Sequence, residues 1–107
     1  MTNYVDIASE AEVDEGSNKA FKVANYSVLI CRTGGEIFAV ENVCSHLLQP
    51  LEGGAMRRCF IFCPAHGARF DLRDGSTAGK LTKKPIKTFG VRLVEGRILV
   101  QVSDSTV

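Results

Sequence analysis

The 107-residue chain has no strong charge bias. Its 13 Lys and Arg against 12 Asp and Glu leave a formal net charge of +1, which argues against a general nucleic-acid binder, since such a domain is normally clearly basic. No apolar run approaches the roughly 20 residues that cross a bilayer, so no membrane span is expected. Met1 to Glu15 is polar and acidic, without a basic region leading into an apolar stretch; no secretory signal is expected, and the cytoplasm is the default location. Internal repeats and low-complexity segments are missing, as are glycine-rich phosphate loops of the G-x-G-x-x-G kind, so the chain is not expected to bind a nicotinamide or flavin dinucleotide itself. No paired acidic motif or nucleophile–base constellation is visible either, which points away from a self-sufficient enzyme. What remains is a length suited to one domain with a modest core. The 45% hydrophobic and 23% charged residues give it the balance of a globular protein.

Helical periodicity is scarce too, and short apolar runs between glycine turns predict an all-β fold. Strands are expected at Tyr4–Ile7, Lys19–Ala24, Ser27–Arg32, Glu36–Glu41, Ile86–Val94 and Arg97–Val102. One helical turn is expected between Ala8 and Glu15. Turns are expected at Asn25–Tyr26, Gly34–Gly35 and Glu95–Gly96. The middle reads differently. Asn42 to Gly79 holds Pro50, Pro64 and five glycines, with short strands expected only at Arg58–Phe62 and Ala68–Leu72 and a turn at Arg73–Gly75. The chain therefore divides into a β framework (about 1–41 and 80–107) carrying a loop-rich insert (about 42–79), and long irregular connections usually carry function.

That insert holds both histidines of the chain and two of its four cysteines. They stand as Cys44-Ser45-His46 and Cys63-Pro64-Ala65-His66, with sixteen residues between the clusters. Without an export signal the thiols are expected to be reduced, which favours metal binding or burial over disulfides. Cys31 and Cys59 lie in apolar β-type runs and are expected to be small buried hydrophobes. A lone His or Cys is usually structural, but here each histidine is within three residues of a cysteine, and each cluster begins where a candidate strand ends. Two sulfur and two nitrogen donors suit a four-coordinate zinc site. They also suit a diiron cluster, with two Cys on one iron and two His on the other. Zinc commonly pairs like ligands in C-x₂₋₄-C and H-x₃₋₅-H, whereas unlike pairs let each loop reach both irons; the spacing alone leaves both open.

Taken with their flanks, Cys44-Ser45-His46 and Cys63-Pro64-Ala65-His66-Gly67, then Phe70-Asp71 and Gly75, resemble the Rieske signature C-x-H…C-P-x-H-G…F-D…G. The likeness runs from about Tyr4 to Val102 and includes Gly35–Asn42 and Val91-Arg92-Leu93. In its length and lack of other domains the chain resembles the small ferredoxins of bacterial multicomponent aromatic-ring dioxygenases. This resemblance implies a Rieske fold, with a sandwich- or barrel-like antiparallel framework and a cluster-binding insert. It implies one [2Fe–2S] cluster held by Cys44, His46, Cys63 and His66. It further implies an electron carrier, not an enzyme, that accepts an electron from an NADH-dependent flavoprotein reductase and passes it to a terminal oxygenase, with no nucleic-acid or membrane partner and a monomer as the default state. Two alternatives are a small subunit of a nitrite-reductase-type complex and a zinc-stabilised interaction module.

Departures from respiratory Rieske proteins refine the expectation. The two cysteines that form their loop-bracing disulfide are matched here by Gln49 and Ala65, and their Ser and Tyr hydroxyl donors by Ala68 and Phe70. Hydrogen bonds to cluster sulfurs favour the more negative, reduced form, so losing two donors should leave the potential near the low end of the roughly −150 to +300 mV Rieske range. Around the exposed histidine edge, Leu47, Leu48, Gln49, Pro50 and Leu51 are expected on one loop and Lys83-Lys84-Pro85 on another. Leu48 and Pro50 are then candidates for a partner-binding surface, and apolar residues there would either exclude water or fill a small core. Residues 57–97 carry ten basic and three acidic groups. The basic stretch Arg57, Arg58, Lys80, Lys83 and Lys84 suits steering of an acidic partner, although interspersed solvated charge is the plainer reading.

Overall fold

The computed structural model describes residues 3–46, 48–79 and 81–102. Leu47 and Lys80 lie outside the described residues. The elements are β1 (Asn3–Ser9), a 3₁₀ turn (Glu10–Glu12), β2 (Ser17–Val23), β3 (Tyr26–Thr33), β4 (Glu36–Glu41), β5 (Met56–Arg57), β6 (Phe60–Phe62), β7 (Arg69–Asp71), β8 (Thr77–Ala78), β9 (Thr88–Val94) and β10 (Arg97–Val102). Among the described residues there is no α-helix, as an all-β chain requires. Six strands form one sheet in the order β1-β10-β9-β4-β3-β2, antiparallel at every neighbour. The short strands β5 to β8 form a second antiparallel sheet in chain order.

The continuous apolar run of β3 explains how the layers stack. Successive strand side chains point to opposite faces. Val28 and Ile30 enter a core with Ala8, Val13, Phe89, Ile98 and Val100. The strand partners lie on β1, β9 and β10, the half of the sheet opposite β3, so the sheet curls to bring its two halves together around this core. Leu29 and Cys31 enter a second core on the other face, with Val40, Cys44, Leu51, Ile61, Cys63, Phe70 and Ile86. This second core joins the small sheet to the large one, and it contains both cysteines of the Cys/His clusters.

Where structure and sequence expectation differ, local chemistry gives the reason. Val23 pairs with Tyr26, so the β2–β3 turn is Ala24–Asn25, with Ala24 at φ +55. The strand expected at Arg58–Phe62 is a hairpin instead: Arg57 pairs with Phe60, and Arg58 turns the chain at φ +57. No Gly, Pro or Asn marks that turn. It is held from outside, by the buried Thr33 hydroxyl donating to the Arg58 carbonyl at 2.9 Å. β8 also went unsignalled. β9 starts at Thr88 rather than Ile86, because the Ile86 N–H bonds the Gly75 carbonyl at 2.9 Å. A side chain at Gly75 would put its Cβ 2.0 Å from the Ile86 carbonyl oxygen. This backbone contact, open only to glycine, seats the small sheet against the approach to β9.

Asp71 closes the same corner. Its carboxylate accepts from Arg73 at Nε (3.0 Å), Nη2 (2.8 Å) and the backbone N–H (2.9 Å). The Arg73 guanidinium holds the Asp71 carboxyl below the usual carboxylate range, with the Cys59 thiol a smaller contributor. A depressed native value means the stabilisation is complete above the unfolded carboxylate value of about 4 and fades as pH falls through the native one. Asp71→Asn is therefore expected to lower unfolding stability at neutral pH, with the gap from the parent closing under acid. Urea unfolding over a pH series checks this; a gap that stays constant into acid would contradict it.

Candidate metal centre

The first Cys/His loop leaves β4 at Glu41 and is pinned at once. The Asn42 carboxamide oxygen accepts from the Leu51 and Glu52 N–H groups, both at 2.8 Å, and its nitrogen donates to Ser27 Oγ at 3.2 Å. Asn18 on β2 clamps the far end, accepting from Gly53 N–H at 2.7 Å and donating to the Gly54 carbonyl at 3.0 Å. Sequence reasoning did not single out these asparagines as supports. Their partners lie up to 36 residues away, and only the turn-forming chemistry of Asn hinted at Asn42. Between the clamps, the Cys44 N–H donates to the Gln49 carbonyl and the Leu48 N–H to the Cys44 carbonyl, both at 2.7 Å.

The second loop repeats this pattern. The Cys63 N–H donates to the Ala68 carbonyl at 2.7 Å, and the Gly67 N–H to the Cys63 carbonyl at 2.8 Å. In both loops the cysteine bonds residues four and five positions on, and the fourth is left-handed: Leu48 at φ +56 and Gly67 at φ +79. Two different sequences thus wind alike. The second uses glycine at the strained position, whereas the first forces a leucine there, at a cost of about 1–2 kcal/mol.

The winding sets the four candidate ligands in two layers. Cys44 and Cys63 are buried in the shared core. His46 is half-buried and His66 exposed, and their rings meet edge to face with centroids 5.6 Å apart. His46 Nδ1 is buried without a hydrogen-bond partner, an orphaned donor or acceptor that a native structure normally satisfies. A metal bound at this atom would account for it, and two buried thiols below two neighbouring imidazole rings fit the mixed donor set of a Rieske-type group.

The other expectations divide. Cys31 is fully buried, and burial pushes its thiol up to about 12, so it stays protonated and apolar. Cys59 is only half-buried and lies against Asp71 rather than in a core. Leu51 is a core residue, whereas Leu48 and Pro50 are exposed. Ala68 and Phe70, expected to offer no hydroxyl donor, pack in the core that holds the two cysteines. The sequence did not signal one tie. Ser45 Oγ donates to the Lys84 carbonyl at 2.5 Å and lies 3.1 Å from Thr82 Oγ1, which accepts from Lys84 N–H at 3.2 Å. Through it the first loop holds the Thr82–Lys84 segment.

Comparison with known proteins agrees with this geometry. The Rieske [2Fe-2S] domain family matches residues 3–90. The ferredoxin component of biphenyl 2,3-dioxygenase from Rhodococcus jostii (strain RHA1) is 30% identical over 96 residues, 90% of either chain. The ferredoxin of carbazole 1,9a-dioxygenase from Nocardioides aromaticivorans IC177 superposes with a TM-score of 0.86 at 30% identity, over 92% of this chain and 96% of that one. A ferredoxin solved in complex with the reduced oxygenase of carbazole 1,9a-dioxygenase superposes with a TM-score of 0.82 at 25% identity, over 90% of this chain and 99% of the other.

The matched loops predict opposite responses at their equivalent positions. Leu48→Gly is expected to stabilise by about 0.5–1 kcal/mol, since the exposed leucine gives up little burial, and Gly67→Ala to destabilise by about 1–2 kcal/mol. Thermal unfolding of the two variants checks this, and a shift of the same sign in both would contradict the shared winding.

Proposed function

Since this chain belongs to the Rieske [2Fe–2S] domain family, we propose that it is the ferredoxin component of an aromatic-ring dioxygenase system, taking single electrons from a flavoprotein reductase and handing them to a terminal oxygenase. The observation that carries this reading is the orphaned His46 Nδ1, set beside His66 above two buried cysteines. Cys44, His46, Cys63 and His66 are the residues that would hold one [2Fe–2S] cluster. When bound, that cluster supplies a centre able to gain and lose one electron.

The chain's own residues do the rest. The core of Leu51, Ile61, Phe70 and Leu72 keeps water from the two thiolates. Asn18 and Asn42 fix the first loop to the large sheet, so little rearrangement accompanies a change of charge. The exposed His66 ring is the edge of the site that a docked partner can touch. Leu48 and Pro50, both exposed on the loop that carries His46, suit an apolar contact with that partner. With Ala68 and Phe70 in place of hydroxyl donors, nothing from those positions favours the reduced form, so the potential belongs at the low end of the family range. A carrier between a nicotinamide-fed reductase and an oxygenase needs such a value. The partner oxygenase, rather than this chain, binds the aromatic substrate.

Anaerobically purified protein is expected to be brown, to contain iron and acid-labile sulfide in equal amounts, and to give an EPR signal once reduced, with a mildly negative midpoint potential. Cys44→Ser, His46→Ala, Cys63→Ser and His66→Ala should each lose most of the iron, while Cys31→Ala keeps it. Colourless protein containing zinc, or a strongly positive midpoint, would overturn the reading.

A further inference from the structure

Arg57, Arg58, Phe60, Phe62 and Arg69 line one open groove of about 310 Å³ on the small sheet. Strand register puts them together. Arg57 pairs with Phe60 and Phe62 with Arg69, so these four share the outer face, while Met56, Ile61 and Phe70 face the core. The Arg69 guanidinium lies over both rings, 5.4 Å from the Phe60 centroid and 5.9 Å from that of Phe62. Stacked in this way, a guanidinium keeps its planar N–H fork available to a carboxylate. All three arginines are exposed, and none forms an ion pair among the described residues. Asp71, on the same face, is committed to Arg73, and Glu36 lines the neighbouring groove with Arg58 without pairing to it. Arg58 also holds the left-handed turn position, where glycine would cost less. Lys83 and Lys84 are not part of this groove.

We propose that this groove docks an acidic segment of the electron-transfer partner, one in which carboxylates flank an apolar side chain. The carboxylates take the three guanidinium forks, and the apolar side chain rests on Phe60 and Phe62. The identity of that partner rests on the carrier reading above. Placement favours it: Phe62 immediately precedes Cys63 and Arg69 immediately follows Ala68, so a partner seated here abuts the second ligand loop beside His66. A net charge of only +1 leaves no general cationic surface, which weighs against an anionic membrane.

The test titrates ¹⁵N-labelled holo-protein with the synthetic peptide Glu-Glu-Phe-Glu-Glu at low ionic strength. Expected are saturable shifts at Arg57, Arg58, Phe60, Phe62 and Arg69, weakened by salt and lost with a Gln-Gln-Phe-Gln-Gln peptide. The combined Arg57→Glu, Arg58→Glu and Arg69→Glu replacement should weaken binding by about tenfold or more, while Lys22→Glu on β2 leaves it intact. Arg58→Gly should weaken binding severalfold and yet raise thermal stability, a combination that a merely structural Arg58 would not give. Shifts centred elsewhere, shifts surviving the triple reversal, equal binding of the glutamine peptide, or preference for phosphatidylglycerol vesicles would each overturn the proposal. Iron content and the reduced EPR signal are recorded in parallel: peptide binding without a cluster ends the carrier reading and keeps the groove, whereas a normal cluster without peptide binding does the reverse.

Discussion

Everything at the site depends on how two short loops are wound. In each, a cysteine N–H and carbonyl are both used in hydrogen bonds to residues five and four positions ahead. This turns the cysteine side chain into the core and carries the following histidine outward. Backbone bonds of this kind do not depend on side-chain identity, which is why Ser45-His46 and Pro64-Ala65-His66 reach similar places with different spacing. The two loops are anchored differently. The first is clamped to the large sheet by Asn18 and Asn42. The second is the end of the β6–β7 hairpin itself, closed by the pairing of Phe62 with Arg69.

The framework was legible because its signals are local. The Gly34–Gly35 tip and the Glu95–Gly96 turn each state their conformation in a few residues, and β4 and β10 fall where the sequence places them. The apolar run Val28–Cys31 was legible as a strand but not as a strand buried on both faces, since that depends on what packs on either side. The β5–β6 hairpin was not legible. Its turn residue is an arginine in a glycine conformation, stabilised by a threonine 25 residues away. Of the site, the four candidate ligands were visible from residue type and spacing. Their supports were not, because Asn18, Asn42, Ser45 and Thr82 act through contacts that only the fold creates.

Charge is also organised by the fold rather than by sequence order. The basic stretch that reads as one block separates into an arginine groove on the small sheet and a lysine pair on the segment held by Ser45, with Arg69 joining the groove from across the hairpin. Both regions adjoin the histidine-bearing loops, and the acidic N-terminal turn caps the large sheet instead: the Glu10 N–H bonds the Gly96 carbonyl, and Glu15 accepts from Gly34 and Gly35.

The assignment of imidazole nitrogen to metal is the central claim, and pulsed electron–nuclear double resonance on the reduced protein tests it most directly. With histidine labelled with ¹⁵N at Nδ1 only, a strong nitrogen coupling from the His46 ring is expected to change isotope. A spectrum without strongly coupled histidine nitrogen, or one unaffected by the Nδ1 label, would contradict the account.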